Sequence, residues 1–184
     1  MKVTRCAVLI WSLMLLEPAY AIKPNEINWD HHLGQDPNNP AIEYSLVSTG
    51  YLRAELSSDF ATVMATWLKD HPEARMIPVI TRGPMNERVP NSKLIFVWIV
   101  DRDDILNVYL VRHGCVGAAQ MFSFADKDFD QLRDKMQLDD DKLQVPQKEY
   151  DKVKKRLIAA EKLAEAERLG IWANPESNVD HTRD

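Results

Sequence analysis

Cysteine is almost missing from this chain, and so is any surplus of positive charge. The two cysteines are Cys6 and Cys115. Cys6 falls in an N-terminal stretch read below as removed, so no intramolecular disulfide is expected, even in an oxidising compartment. Cys115 sits among small apolar residues and reads as a core side chain rather than a reactive thiol. Lysine and arginine number 23 against 28 acidic residues, a formal charge of −5. Proteins that grip nucleic acid through its phosphates usually present a basic face. The acidic balance disfavours that class without excluding a local patch. Internal repeats and low-complexity tracts are missing too. The N-terminal apolar run, Ala7–Leu16, falls short of the roughly 20 residues a bilayer span needs.

That run has a different reading. Lys2 and Arg5 precede it as a positive region, and Ala19-Tyr20-Ala21 follows with small residues at the −3 and −1 positions of a cleavage site. Residues 1–21 are therefore expected to be a signal peptide, and the chain from Ile22 to be exported, periplasmic or secreted. An uncleaved anchor is the weaker alternative. Removal of Lys2, Arg5 and Glu17 takes the charge from −5 to −6 and leaves 163 of the 184 residues. That length suits one domain with a sizeable core.

Residues 22–40 read as a polar segment, with Gln35-Asp36-Pro37-Asn38-Asn39-Pro40 a loop. Asp30-His31-His32 offers metal-ligand residue types, but two adjacent histidines without a third partner at metal spacing read as solvated loop. Ala41–Val47 reads as a strand. Ser57 or Ser58 is placed to cap a helix whose apolar face is Phe60, Val63, Met64, Trp67 and Leu68, closed by Pro72. Met76–Thr81 reads as a strand, Arg82-Gly83-Pro84 as a turn and Glu87–Lys93 as a polar loop. In the spacer from Ser123 to Gln144, a short helix is expected over Asp126–Met136. Asp139-Asp140-Asp141 lacks the alternating oxygens and the glycine of a calcium loop and reads as linker.

The remaining stretch, Leu94–Trp172, has the strongest pattern. Leu94–Val100 is a seven-residue apolar run that reads as a buried strand. Asp103 or Asp104 is placed to cap a helix carrying Leu106, Leu110 and Val111. Gly114 stops that helix where a left-handed residue is needed. Cys115–Phe122 reads as another strand. Pro146 opens a long helix with the stripe Tyr150, Val153, Leu157, Ala160, Ala164, and Gly170 ends it.

Strand, turn, a short helix ending in Leu110-Val111-Arg112-His113-Gly114, a further strand, then the helix running through Ala160–Trp172 and a polar tail: this order resembles the C-terminal half of the staphylococcal (thermonuclease-like) nuclease family. Leu106-Asn107 adds to the match, which covers roughly residues 77–175 and more loosely 42–76. The resemblance implies an α+β domain over residues 41–175, with a small OB-fold-like β-barrel and about three helices, followed by a polar tail, 176–184. Because only about 20 residues precede the first matched strand, an abbreviated barrel is expected.

An active member of that family holds calcium with carboxylates. It orients the attacking water with a glutamate and stabilises the phosphorane-like transition state with two arginines. Aligned on Leu46-Val47-Ser48-Thr49, this chain places Glu43 at the first arginine, Ser48 at the metal aspartate and Tyr51 at the glutamate. Ser92 falls at the second arginine, and the family's Asp-Gly-Asp-Thr element has no counterpart in residues 22–40. Serine cannot supply an anionic ligand, and Glu43 would repel a phosphate. Losing one preorganised stabiliser costs roughly 10²–10³ in rate. The expectation is thus a domain without catalytic, metal or cofactor residues at the family positions, working as a binding or interaction module. A protein partner is favoured over nucleic acid, with no stable membrane insertion. Trp29, Tyr51 and Tyr109 are candidate contacts, though residues of this kind are more often plain packing. The alternative is a calcium-dependent nuclease with relocated residues drawn from Arg53, Glu55, Arg82 and Arg88. A ligand-free structural role is the third reading.

Overall fold

The computed structural model describes residues 22–47, 55–85, 88–122 and 142–173. The apolar run at its centre becomes strand β5, Lys93–Asp101, in which seven consecutive residues are buried. Burial on both faces requires cover on both sides, and the neighbouring elements supply it. Five more strands join it: β1 (Asn28–Asp30), β2 (Leu33–Gln35), β3 (Ile42–Ser45), β4 (Arg75–Arg82) and β6 (Asp104–Ile105). The sheet order is β1-β2-β3-β5-β4, with β6 paired on β5. β3 runs parallel to β5 and every other pair is antiparallel. The architecture is α+β with a mixed sheet. Among the described residues β1 and β4 are its ends, so the sheet does not close into a barrel.

Three α-helices are described: α1 (Phe60–Asp70), α2 (Leu106–Arg112) and α3 (Gln147–Ala166). α1 buries Phe60, Met64 and Trp67, and α3 buries Tyr150, Val153, Leu157, Ala160 and Ala164, the stripes that helical spacing picks out. Proline 78 lies in β4, an edge strand, where a missing N–H is tolerated, and the pairing with β5 slips between Pro78 and Ile80. On the free side of β4 the segment after residue 142 takes over, with Gln144 N donating to Val79 O (2.8 Å) and Gln144 Nε2 to Thr81 Oγ1 (2.9 Å). No described helix is long and apolar enough to cross a membrane.

One polar side chain ties the layers together. Asn107, fully buried on α2, accepts from Ile99 N (3.1 Å) and donates to Leu46 O (3.1 Å) and Val97 O (3.2 Å). Its amide thus fastens α2 to β5 and to the chain leaving β3. Buried polar groups are tolerated when they are satisfied in this way.

Several local expectations are corrected. Residues 22–40 are not loop throughout. A 3-10 turn at Pro24–Glu26 is followed by the β1–β2 hairpin, whose three-residue strands are too short to show periodicity. Cys115–Phe122 is not a strand. Val116 makes one bridge to Leu56, Gly117 stays extended (φ −73°, ψ 149°), and Ala118–Met121 coils into a 3-10 turn. Ala118 N is satisfied by the Glu161 carboxylate (2.7 Å) rather than by a neighbouring strand. Asp104 does not cap α2, because Asp104–Ile105 folds back as β6 onto Val100 and Asp101 and leaves Ile105 at the cap position. α1 starts behind Asp59 rather than Ser57 or Ser58, since Ser57 N is bonded to Cys115 O (2.9 Å) and belongs to the preceding loop. The helix expected over Asp126–Met136, the Asp139–Asp141 run, the signal segment and the tail lie outside the described residues.

Candidate functional site

The parallel pairing of β3 with β5 decides which side chains share a surface. Glu43 lies opposite Leu94, and Leu94 lies opposite Arg82 on β4. Residues facing each other across neighbouring strands point to the same side. Glu43, Leu94 and Arg82 therefore form one row across the sheet, and Ser45, Phe96 and Ile80 form the next. Glu43 is exposed, Arg82 half-buried and Leu94 buried. Between the rows, Ser45, Val47, Ile80, Arg82, Leu94 and Phe96 line a recess of about 10 Å³, room for at most one water. Ser45 closes on its own backbone, its hydroxyl donating to Val47 O (2.6 Å) and accepting from Val47 N (3.1 Å).

Of the four positions that the expected resemblance sets against catalytic residues, Glu43, Ser48, Tyr51 and Ser92, two are described. Glu43 puts an exposed carboxylate on this face. Ser92 is a loop tie: both its hydroxyl (2.9 Å) and its carbonyl (3.2 Å) accept from Met85 N, and its own N–H donates to Val89 O (2.8 Å). Gly83 packs so closely over the Ser92 carbonyl that a Cβ there would collide with it. Ser48 and Tyr51 lie outside the described residues, as does Arg53. Of the other basic and acidic substitutes, Arg82 shares the row with Glu43, while Glu55 and Arg88 are exposed in loops. Among the described residues no three histidine, cysteine or carboxylate side chains converge as a metal-binding group.

The two histidines of the β1–β2 turn do not cooperate. His31 takes a left-handed conformation (φ 55°) and its Nδ1 pairs with Asp30 Oδ1 (2.8 Å) at the surface. His32 is half-buried, its Nδ1 has no hydrogen-bond partner, and its carbonyl accepts from Leu46 N (2.9 Å). Burial first, then the neighbouring His31, pushes the His32 pKa below its ordinary 6.5, against the pull of Asp30. Cys115 is buried, and burial raises its thiol above the usual range, the condition of an inert core cysteine. Of the candidate aromatic contacts, Trp29 is half-buried and donates to Pro24 O (2.7 Å), and the Tyr109 ring lies tilted against His113 with ring centres 4.0 Å apart. Both are engaged in packing.

The two quoted motif ends meet each other. Gly114 (φ 65°) follows α2 and Gly170 (φ 54°) follows α3, and their backbones touch so closely that neither admits a Cβ. Ile171 N donates to Gly114 O (2.9 Å), and Arg112 Nη2 pairs with Glu167 Oε1 (2.6 Å) across the same junction. Gly114 stops α2 as expected, but Gly170 does not stop α3: that helix closes at left-handed Arg168 (φ 55°), with Leu169 N donating to Ala164 O (3.0 Å), and Gly170 opens the next turn where it meets Gly114. No family model, curated protein or solved structure matches this chain.

Proposed function

We propose that this chain is an exported, divergent thermonuclease-like domain that has lost catalysis and works as a binding module, with a protein as its partner. The observation that carries the reading is the pair Glu43 and Ser92. One is an exposed carboxylate where a nuclease of that family needs a phosphate-binding arginine, and the other is a neutral side chain committed to its own loop. A carboxylate on that face repels the phosphate an arginine would clamp. The docking of the Leu110–Gly114 segment onto Leu169–Trp172 supports the resemblance, because its two most characteristic segments form one junction. On this reading the mixed sheet is an opened, abbreviated relative of a small OB-like barrel.

A second reading rests on Arg82, which shares a row with Glu43 two strands away, across β5. It supplies one cation and one carboxylate for a relocated calcium-dependent phosphodiesterase. Incubating the protein from Ile22 with single-stranded DNA and RNA, with calcium and then with a chelator, separates the two. Cleavage that disappears with chelator and with Arg82→Ala overturns the binding-module reading. No cleavage at high protein concentration removes the nuclease.

A further inference from the structure

Helix α3 carries its charges in the order that its own dipole disfavours. Its first ten residues hold five basic side chains (Lys148, Lys152, Lys154, Lys155, Arg156) against Glu149 and Asp151. The second ten hold Lys162 against Glu161 and Glu165. A helix C-terminus bears partial negative charge and favours bases, and the last turn of α3 holds Glu165 and no base, so this arrangement works against the dipole there. It also works against the composition of the whole chain, which is net acidic.

The outward line of α3 is more uniform than these counts suggest. Lys148, Lys152, Lys155, Ala159, Lys162 and Ala166 follow one another at alternating steps of four and three, diametrically opposite the buried stripe, and all six are exposed. The four lysines span about 21 Å of a straight rod. The acids keep to other lines: Asp151 lies on one flank, engaged by Gln147 Nε2 (2.9 Å), and Glu161 turns inward to Ala118 N. On the other flank Leu163 stands 51 % exposed, the most exposed large hydrophobic described.

We infer that this stripe lies against a bilayer surface carrying anionic headgroups. Lysine is depleted in protein–protein interfaces, so four of them in line suit a protein partner poorly. Sequence readers of nucleic acid use arginine forks or stacked aromatics, and the stripe has neither, so a duplex would be held through its phosphates alone. Clustered lysines, by contrast, are drawn to anionic lipid without needing fixed geometry. Leu163 at the edge of the stripe can enter the headgroup layer, whereas it would gain nothing against phosphates of a duplex. The apolar face of α3 is already committed to the core, so the contact is peripheral, held by charge, and sensitive to salt.

The test uses the protein from Ile22, which carries every described element, and co-sedimentation with vesicles. Phosphatidylcholine vesicles with and without about 30 % phosphatidylglycerol are compared at low and raised salt. Binding to the anionic vesicles alone, weakened by salt, is expected. Each lysine changed to glutamine should weaken it about fivefold, and K148Q/K152Q/K155Q/K162Q together roughly 500-fold, with the melting temperature unchanged because all four are exposed. Leu163→Gln should weaken it less than any two lysine changes. Equal binding to neutral vesicles, no binding to either, or undiminished binding by the quadruple variant overturns the inference. So does binding to duplex DNA in the absence of vesicle binding, which would make the stripe a phosphate-polymer site.

Discussion

The junction of α2 with α3 and the β1–β2 hairpin both depend on a glycine pressed against its neighbours, yet they are built to different tolerances. At the junction, Gly114 meets backbone: the carbonyl of Leu169 and the nitrogen of Gly170, at a positive φ. In the hairpin, Gly34 meets side chains, Ile27 and Trp29, with an ordinary φ. Backbone cannot step aside without moving two helices, whereas an indole or an isoleucine methyl can. The junction also has Asn107 behind it and the Arg112–Glu167 pair across it. The hairpin has strands of three residues at the end of a sheet. The C-terminal half is therefore held by contacts that allow one arrangement, and the N-terminal edge by contacts that allow several.

The largest effect should come from Asn107→Ala. It leaves Ile99 N, Leu46 O and Val97 O buried without partners, at a cost of about 3–5 kcal/mol in urea unfolding. A loss under 1 kcal/mol would mean that water replaces the amide and that the layers are not fastened there. Gly114→Ala comes next, at about 2–4 kcal/mol, from a left-handed backbone together with the collision against Leu169. Gly170→Ala should cost about as much, and the double variant should cost less than the two together, because both break one contact. Gly34→Ala should cost only about 1–2 kcal/mol, since Trp29 and Ile27 can shift. If Gly34→Ala proved the costlier, the contrast between the two regions would be reversed.

How much of this was legible in the sequence depends on length and locality. β5 and α3 were readable because their patterns persist, seven buried residues in one case and five inward positions at helical steps in the other. Strands β1 and β2 were not, because three residues give an alternation nothing to repeat. The Cys115–Phe122 segment misled because small apolar residues suit a strand and a coiled turn alike. What decides is Glu161, more than 40 positions away, which satisfies Ala118 N. The site was less legible still. The resemblance alone implies an arginine where Glu43 stands, and the sharing of a row by Glu43 and Arg82 requires β3 to lie parallel to β5, a pairing no local pattern states. The lysine line of α3 is as periodic in the sequence as the apolar stripe opposite it.

The smallest predicted effect concerns acid, and it distinguishes the regions by a different measure. His32 has its pKa lowered by burial and by His31, so the folded protein binds its proton less readily than the unfolded chain does. Stability from this group is complete above the unfolded value of 6.5, and declines as pH falls through 6.5 towards the lower folded value. His32→Gln removes the titration while keeping a polar side chain. The melting temperature of the unaltered protein should therefore fall more steeply than that of the variant between pH 7.5 and the acid side of 6.5. Over the same interval the protection factor, the exchange rate taken against the intrinsic rate at each pH, should fall first at Leu46 N, whose acceptor is the His32 carbonyl, and stay high at Ile99 N. Parallel melting curves would mean that the histidine is solvated in both states. Loss of protection at Ile99 together with Leu46 would mean that hairpin and junction open as one unit, and that the difference between them is one of packing and not of stability.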